Sequence, residues 1–265
     1  MQPNLKPFLQ ARVRRGLILG LLAFALGFFP GNPGMAQSNQ ALAAARSLFT
    51  QGTEAFLAGD YTTAARLYRE SASQRPSAGV FLNLGHAEWK LGHVGPAVLA
   101  WERAQWLDPL NPDAKTNLRF ARKQTQLDAP NSTWYEVCST WLPSGFWAWL
   151  ACLSFWTALA LLVLPGLLSR QKTEWQQGLA AAAFAVFLLT LPALAGIQSR
   201  SAWGIVTDDR AHLRITPTEH GQILTKLNPG ELAKLERRRG DFWFIRANNT
   251  AAGWIKASEF SLISP

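Results

Sequence analysis

Gly52-Thr-Glu-Ala-Phe-Leu-Ala-Gly59-Asp-Tyr-Thr-Thr-Ala64-Ala-Arg-Leu-Tyr68, followed by Pro76, is answered 33 residues later by Gly85, Gly92, Ala97, Trp101 and Pro109. All five pairs keep one offset. A period of this length marks a helical hairpin that stacks on copies of itself. Each position has a mechanical job. The first glycine is small where helix A meets its neighbour. The second ends helix A in a tight turn. The alanine lets helices A and B approach, and the aromatic fills the space beyond it. The proline stops helix B.

Working outward, helices are expected over residues 40–57, 61–74, 79–91 and 96–107. Pro96 suits a first helical turn, where its missing N–H has no partner to lose. A fifth helix over 112–126 carries Leu118 and Ala121 on one face and would cap the array. The pattern resembles the tetratricopeptide (TPR) repeat, and the helical domain covers 37–127. The resemblance implies protein binding on the face made by the A helices. There the partner-binding candidates are Phe49, Thr53, Phe56, Asn83, His86 and Lys90. The polar trio suits a peptide backbone or carboxylate. Some TPR domains grip a terminal carboxylate with Lys, Arg and Asn, but only Asn83 fits that set, so that function is not carried over.

The chain is 48% hydrophobic and only 16% charged, against about a quarter charged in a soluble protein. Three stretches hold no charge: 16–29, 146–168 and 178–197. The first follows Arg12, Arg14 and Arg15 and precedes Gly34-Met35-Ala36. Residues 1–36 therefore read as a secretory signal peptide, with an uncleaved anchor as the alternative. The other two are long enough to cross about 30 Å of hydrocarbon as helices. They form a two-helix transmembrane hairpin. Its approach, a linker over 128–145, is rich in tryptophan, as at a bilayer interface. The intervening 169–177 carries Arg170 and Lys172, which the positive-inside rule places in the cytoplasm. Both soluble parts would then face the periplasm, from the bacterial inner membrane.

Residues 203–265 read as all-β, with strands at 203–207, 211–216, 233–237, 243–247 and 253–256. Turn residues separate them, among them Asn228-Pro229-Gly230 and Gly240-Asp241. Five short strands make a small barrel. Ala211-His-Leu-Arg214, Leu227-Asn-Pro-Gly-Glu231 and Gly253-Trp254-Ile255 resemble bacterial SH3-like domains. A second candidate ligand face is Trp203, Phe242 and Trp243, which could hold a peptide or cell-wall glycopeptide. The fold class expected is thus a multidomain membrane protein: TPR hairpins, a transmembrane hairpin and an SH3-like barrel.

The net charge of +9 is spread thinly. Residues 37–130 carry ten basic and eight acidic residues, and 203–265 carry nine and seven. No folded part is strongly basic, which argues against nucleic acid as a partner. His86 and His93 stand seven apart, not at an i, i+4 ligand spacing. Asp208-Asp209 reads as turn polarity. There is no GxSxG, HExxH or P-loop motif. Cys138 and Cys152 lie too far apart along one segment to bridge. No cofactor, metal or enzymatic activity is expected.

The order of modules resembles the BatE-type family of the Bacteroides aerotolerance (Bat) operon. The stretch Asn111-Pro-Asp-Ala-Lys-Thr-Asn-Leu-Arg-Phe-Ala-Arg-Lys123 is similar to the end of the TPR region in Bat-type proteins. The resemblance implies an inner-membrane scaffold that works with von Willebrand factor A-domain Bat-type proteins, near a MoxR-type ATPase, in aerotolerance or stress. The alternative is an envelope sensor that contacts peptidoglycan through the SH3-like domain.

Overall fold

The computed structural model describes residues 34–167, 173–247 and 251–264. The signal-peptide expectation falls almost wholly outside these residues, as do Arg170 and Lys172 of the expected cytoplasmic loop. Among the described residues the chain is mixed: eight helices and one seven-stranded antiparallel sheet.

Five helices form the first layer: α1 (Gly34–Leu57), α2 (Tyr61–Gln74), α3 (Ala78–Lys90), α4 (Val94–Leu107) and α5 (Pro112–Thr125). Each packs on the next in chain order. The repeat explains why. Gly59 and Gly92 end α1 and α3 with φ of 83° and 80°, a conformation that costs glycine nothing. Ala64 and Ala97 are fully buried where paired helices cross. Tyr68 and Trp101 fill the space beyond, and a Cβ on Gly85 would come within 2.4 Å of the Trp101 ring. Both aromatics satisfy their polar tips, as buried Tyr and Trp require. The Tyr68 hydroxyl donates to Thr53 Oγ1 at 3.1 Å, and Trp101 Nε1 donates to the Leu82 carbonyl at 3.2 Å. Side-chain caps from Asp60, Ser77 and Asn111 start α2, α3 and α5.

The sequence reads 128–145 as a linker, but the structure folds a short helix into it, α6 (Trp134–Ser139). Its start is fixed by a capping box between Thr133 and Glu136. Two long helices follow, α7 (Ser144–Leu167) and α8 (Glu174–Arg200), packed on each other. Both are long and apolar enough to cross a membrane, and only 22% of each apolar window is buried. Their burial is inside-out. The buried positions of the pair include small residues such as Ala151, Ser154, Ala158, Ala180 and Ala193, while Leu153, Trp156, Leu162, Phe184 and Leu189 are exposed. A helix pair in water does the reverse; small residues inside and large apolar ones outside is how helices pack in lipid.

The sheet comprises β1 (Trp203–Val206), β2 (His212–Arg214), β3 (Ile223–Lys226), β4 (Leu232–Arg239), β5 (Phe242–Ala247), β6 (Ala252–Lys256) and β7 (Phe260–Leu262). Their order is β3-β2-β6-β5-β4-β1-β7. Two strands exceed the five expected. All four residues of β3 are exposed, so it lacks the inside-outside alternation that marks a strand in sequence. β7 is three residues long and follows a 3₁₀ turn. Val206, Leu213, Ile245, Ile255 and Phe260 form the sheet's own core.

The sheet is seated on the helices. Ile205, Leu232 and Ile263 share one buried cluster with Ala97, Val98, Trp101, Leu118 and Ala121 of α4 and α5. Arg103 of α4 donates from Nη2 to the Leu262 carbonyl at 2.9 Å.

Candidate functional site

The expected partner-binding residues divide between two settings. Phe49, Thr53 and Phe56 lie half-buried on α1, turned toward α2. Phe49 stacks obliquely on Tyr68 at 5.6 Å, and Phe56 meets Tyr61 edge-on at 5.2 Å. Thr53 accepts from Tyr68. These three hold the first hairpin together. Asn83 and His86 are half-buried on α3, and Lys90 is exposed at its end. His86 Nε2 stands 2.7 Å from Asn117 Nδ2 of α5. With the amide donating, Nε2 is the unprotonated nitrogen. Desolvation lowers the His86 pKa, against the opposing pull of Asp113 and the Asn117 contact. His86 is therefore a neutral link between α3 and α5 at neutral pH.

An open groove of about 500 Å³ lies between α1, the end of α2 and the start of α3. Ala45, Phe49, Ser71 and Val80 line it, and Arg46 and Arg75 flank it. Ser71 is fully buried and donates to the Ala45 carbonyl at 2.8 Å. Neither arginine has an acidic partner among the described residues. The groove therefore offers an apolar floor between two free guanidiniums, which can each bind a carboxylate through two parallel N–H donors. Of the six sequence candidates it includes only Phe49. Arg46 and Arg75 escape a sequence reading because the second repeat places Gly79 and Asp108 at their offsets.

Other charged groups are tied up in the scaffold. Glu88, 2% exposed on α3, pairs with Arg69 of α2 and accepts from His93 Nδ1 at 2.8 Å. His93 thus closes a hairpin turn. Glu102 of α4 pairs with Arg122 of α5, and burial pushes its pKa up against that pairing.

The barrel-face candidates do not form one strip. Trp203 is packed into the helix–sheet cluster, donates from Nε1 to Glu136 Oε1 at 3.3 Å, and lies 5.8 Å from Lys234 Nζ. Trp243 packs on the sheet core, edge-on to Phe260, with the Arg238 guanidinium 4.8 Å over its ring. Phe242 stands half-buried at the β4–β5 turn.

A second cluster joins three elements at Glu136, a residue the sequence reading passes over although Thr133 three positions earlier signals a capping box. Glu136 is 2% exposed. It accepts from Ser199 Oγ at 2.6 Å, the Thr133 backbone N–H at 2.8 Å and Trp203 Nε1. Lys234 Nζ of β4 lies 4.0 Å from it and donates to Ser199 Oγ at 2.8 Å. Burial pushes the carboxyl pKa up, but the hydrogen bonds from Ser199, Thr133 and Trp203 outweigh it and hold it below the ordinary value. Beside it, Arg200 donates to Ser139 Oγ at 3.2 Å and stacks 5.0 Å over Trp106 of α4. The chain's sequence matches no protein-family model, and no curated protein is significantly similar to it.

Proposed function

We propose that this chain is a non-enzymatic membrane scaffold whose TPR-type helical array binds protein partners. The observation that carries this reading is the open groove between α1, α2 and α3, flanked by two arginines that have no acidic partner among the described residues. The paired jobs of Gly85 with Trp101 and of Ala64 and Ala97 at the helix crossings support a TPR-type hairpin. The inside-out burial of α7 and α8 supports two membrane spans. With an SH3-like sheet beside the array, the module order favours a Bat-type complex at the periplasmic face of the inner membrane. Its partners there are von Willebrand factor A-domain proteins, with a MoxR-type ATPase nearby and a role in aerotolerance or stress. The groove's chemistry favours a partner segment with an apolar side chain beside a carboxylate.

The test uses the full chain, tagged and purified from its native membrane. Co-purification of a von Willebrand factor A-domain protein is expected, and Arg46→Glu with Arg75→Glu should weaken it about tenfold or more, the equivalent of about 1.4 kcal/mol. Undiminished recovery with both arginines reversed would remove the groove from the binding surface. Recovery of no such protein would remove the Bat-type assignment.

A further inference from the structure

Helix α6 is amphipathic the wrong way round for a helix in water. Its buried side chains are Glu136 and Ser139. Its outward side chains are Trp134, 68% exposed, and Val137, with Trp141 just beyond its end, 61% exposed. Residues 134 and 137 stand three apart within the helix, so they share one face. A surface helix of a soluble protein turns its apolar stripe inward and its charges outward.

The reversal is held in place. Glu136 is fixed by Ser199 near the end of α8 and by Trp203 of β1. Gly196 of α8 lets the two helices touch: a Cβ there would meet the Tyr135 carbonyl oxygen at 2.1 Å. Helix α6 therefore lies against the last turns of α8, next to the level where α7 begins. The chain runs on from α6 through exposed Trp141 into α7, where Phe146, Trp149 and Leu153 are also exposed.

We propose that α6 is an interfacial anchor, lying in the headgroup layer of the bilayer that α7 and α8 span, with Trp134, Val137 and Trp141 turned into lipid. The proposal rests on the reading of α7 and α8 as membrane spans. Tryptophan suits this depth because its ring is apolar and its N–H reaches water. Lipid is the occupant because α6 packs on the end of α8 and the same stretch of chain keeps its large side chains Trp134, Trp141, Phe146 and Trp149 exposed up to the start of the spans. Bolted through Glu136 to α8 and β1, the anchor holds the helix–sheet body at a fixed height against the membrane rather than on a free tether. A partner of the groove must then approach along the membrane surface.

The experiment labels single cysteines with an environment-sensitive fluorophore in the full chain in liposomes, on a Cys138→Ser, Cys152→Ser background. Labels go at Trp134→Cys and Val137→Cys on α6, at Leu188→Cys on α8 and at Leu57→Cys, 80% exposed on α1. Lipids brominated near the headgroup are the quencher. Quenching at 134 and 137 should exceed that at 57 by about twofold or more, as for a helix lying in the interface. A lipid signal at 188 with water-like signals at 134 and 137 would overturn the anchor and leave the spans standing. A water-like signal at 188 would overturn both.

Discussion

Glu136 shows how much one side chain can organise. A buried carboxylate is costly unless its charge is met by donors, and here three donors and a nearby lysine meet it. Because its folded pKa is depressed, it contributes stability that is complete above its ordinary value of 4.5 and is lost as pH falls through the lower, folded value. Lys234 and Arg200 are the basic side chains that face it. Glu136→Gln keeps the shape but removes the titration. We expect it to cost about 1–3 kcal/mol at neutral pH, from donors left poorly matched. The acid sensitivity between pH 5 and pH 3, about the range of a carboxylate, should flatten in parallel. Thermal unfolding of the detergent-solubilised chain across pH checks both. A variant as acid-sensitive as the wild type would show that Glu136 does not carry this linkage.

At the scale of elements, the contact that matters most is between α4 and β1. Val98 and Trp101 on one side and Ile205 on the other are all nearly fully buried in one cluster. Gly95 lets the layers close, since a Cβ there would come within 2.6 Å of the Val206 carbonyl oxygen. Helices and sheet thus pack as one body. Ile205→Ala, 1% exposed in the parent, should cost about 2–5 kcal/mol, the range for truncating a core isoleucine. The loss should register in helical circular dichroism as much as in the sheet, in a single transition. A mutant whose helices melt at the wild-type temperature while its sheet melts early would separate the two layers. For the same reason the sheet is best studied in the intact chain, because cutting it out would bare Ile205, Leu232 and Ile263.

For the whole molecule, the antiparallel pair α7 and α8 places α6 and the sheet at the same end. If the pair crosses the membrane, array and sheet lie on one side of it whichever way the pair is inserted. The leader expectation and the basic loop then choose the periplasm. Alkaline phosphatase fused after residue 265 should be active and β-galactosidase fused at the same place inactive. The opposite pair of activities would invert the molecule and move its partners to the cytoplasm.

The helical hairpins, the two apolar helices and most of the strands were legible in the sequence, because they rest on local rules. A 33-residue period, uncharged runs and turn residues act over a few turns of chain, and Gly59, Gly92 and Pro76 act on their own backbone. Strand β3 was not legible, because an all-exposed strand has no alternation and is defined only by pairing with β2. Helix α6 carried a cap signal but too few residues for periodicity. What only the tertiary structure decided is where surfaces meet. Phe56 turned to Tyr61 of α2, and Phe49 both packed on Tyr68 and lined the groove. Trp203 packed half-buried against the helix–sheet cluster, and Arg46 and Arg75 came to flank one groove. Sequence spacing sets which face of an element a residue occupies; what that face meets depends on elements far along the chain, as when Arg103 reaches Leu262, 159 residues on.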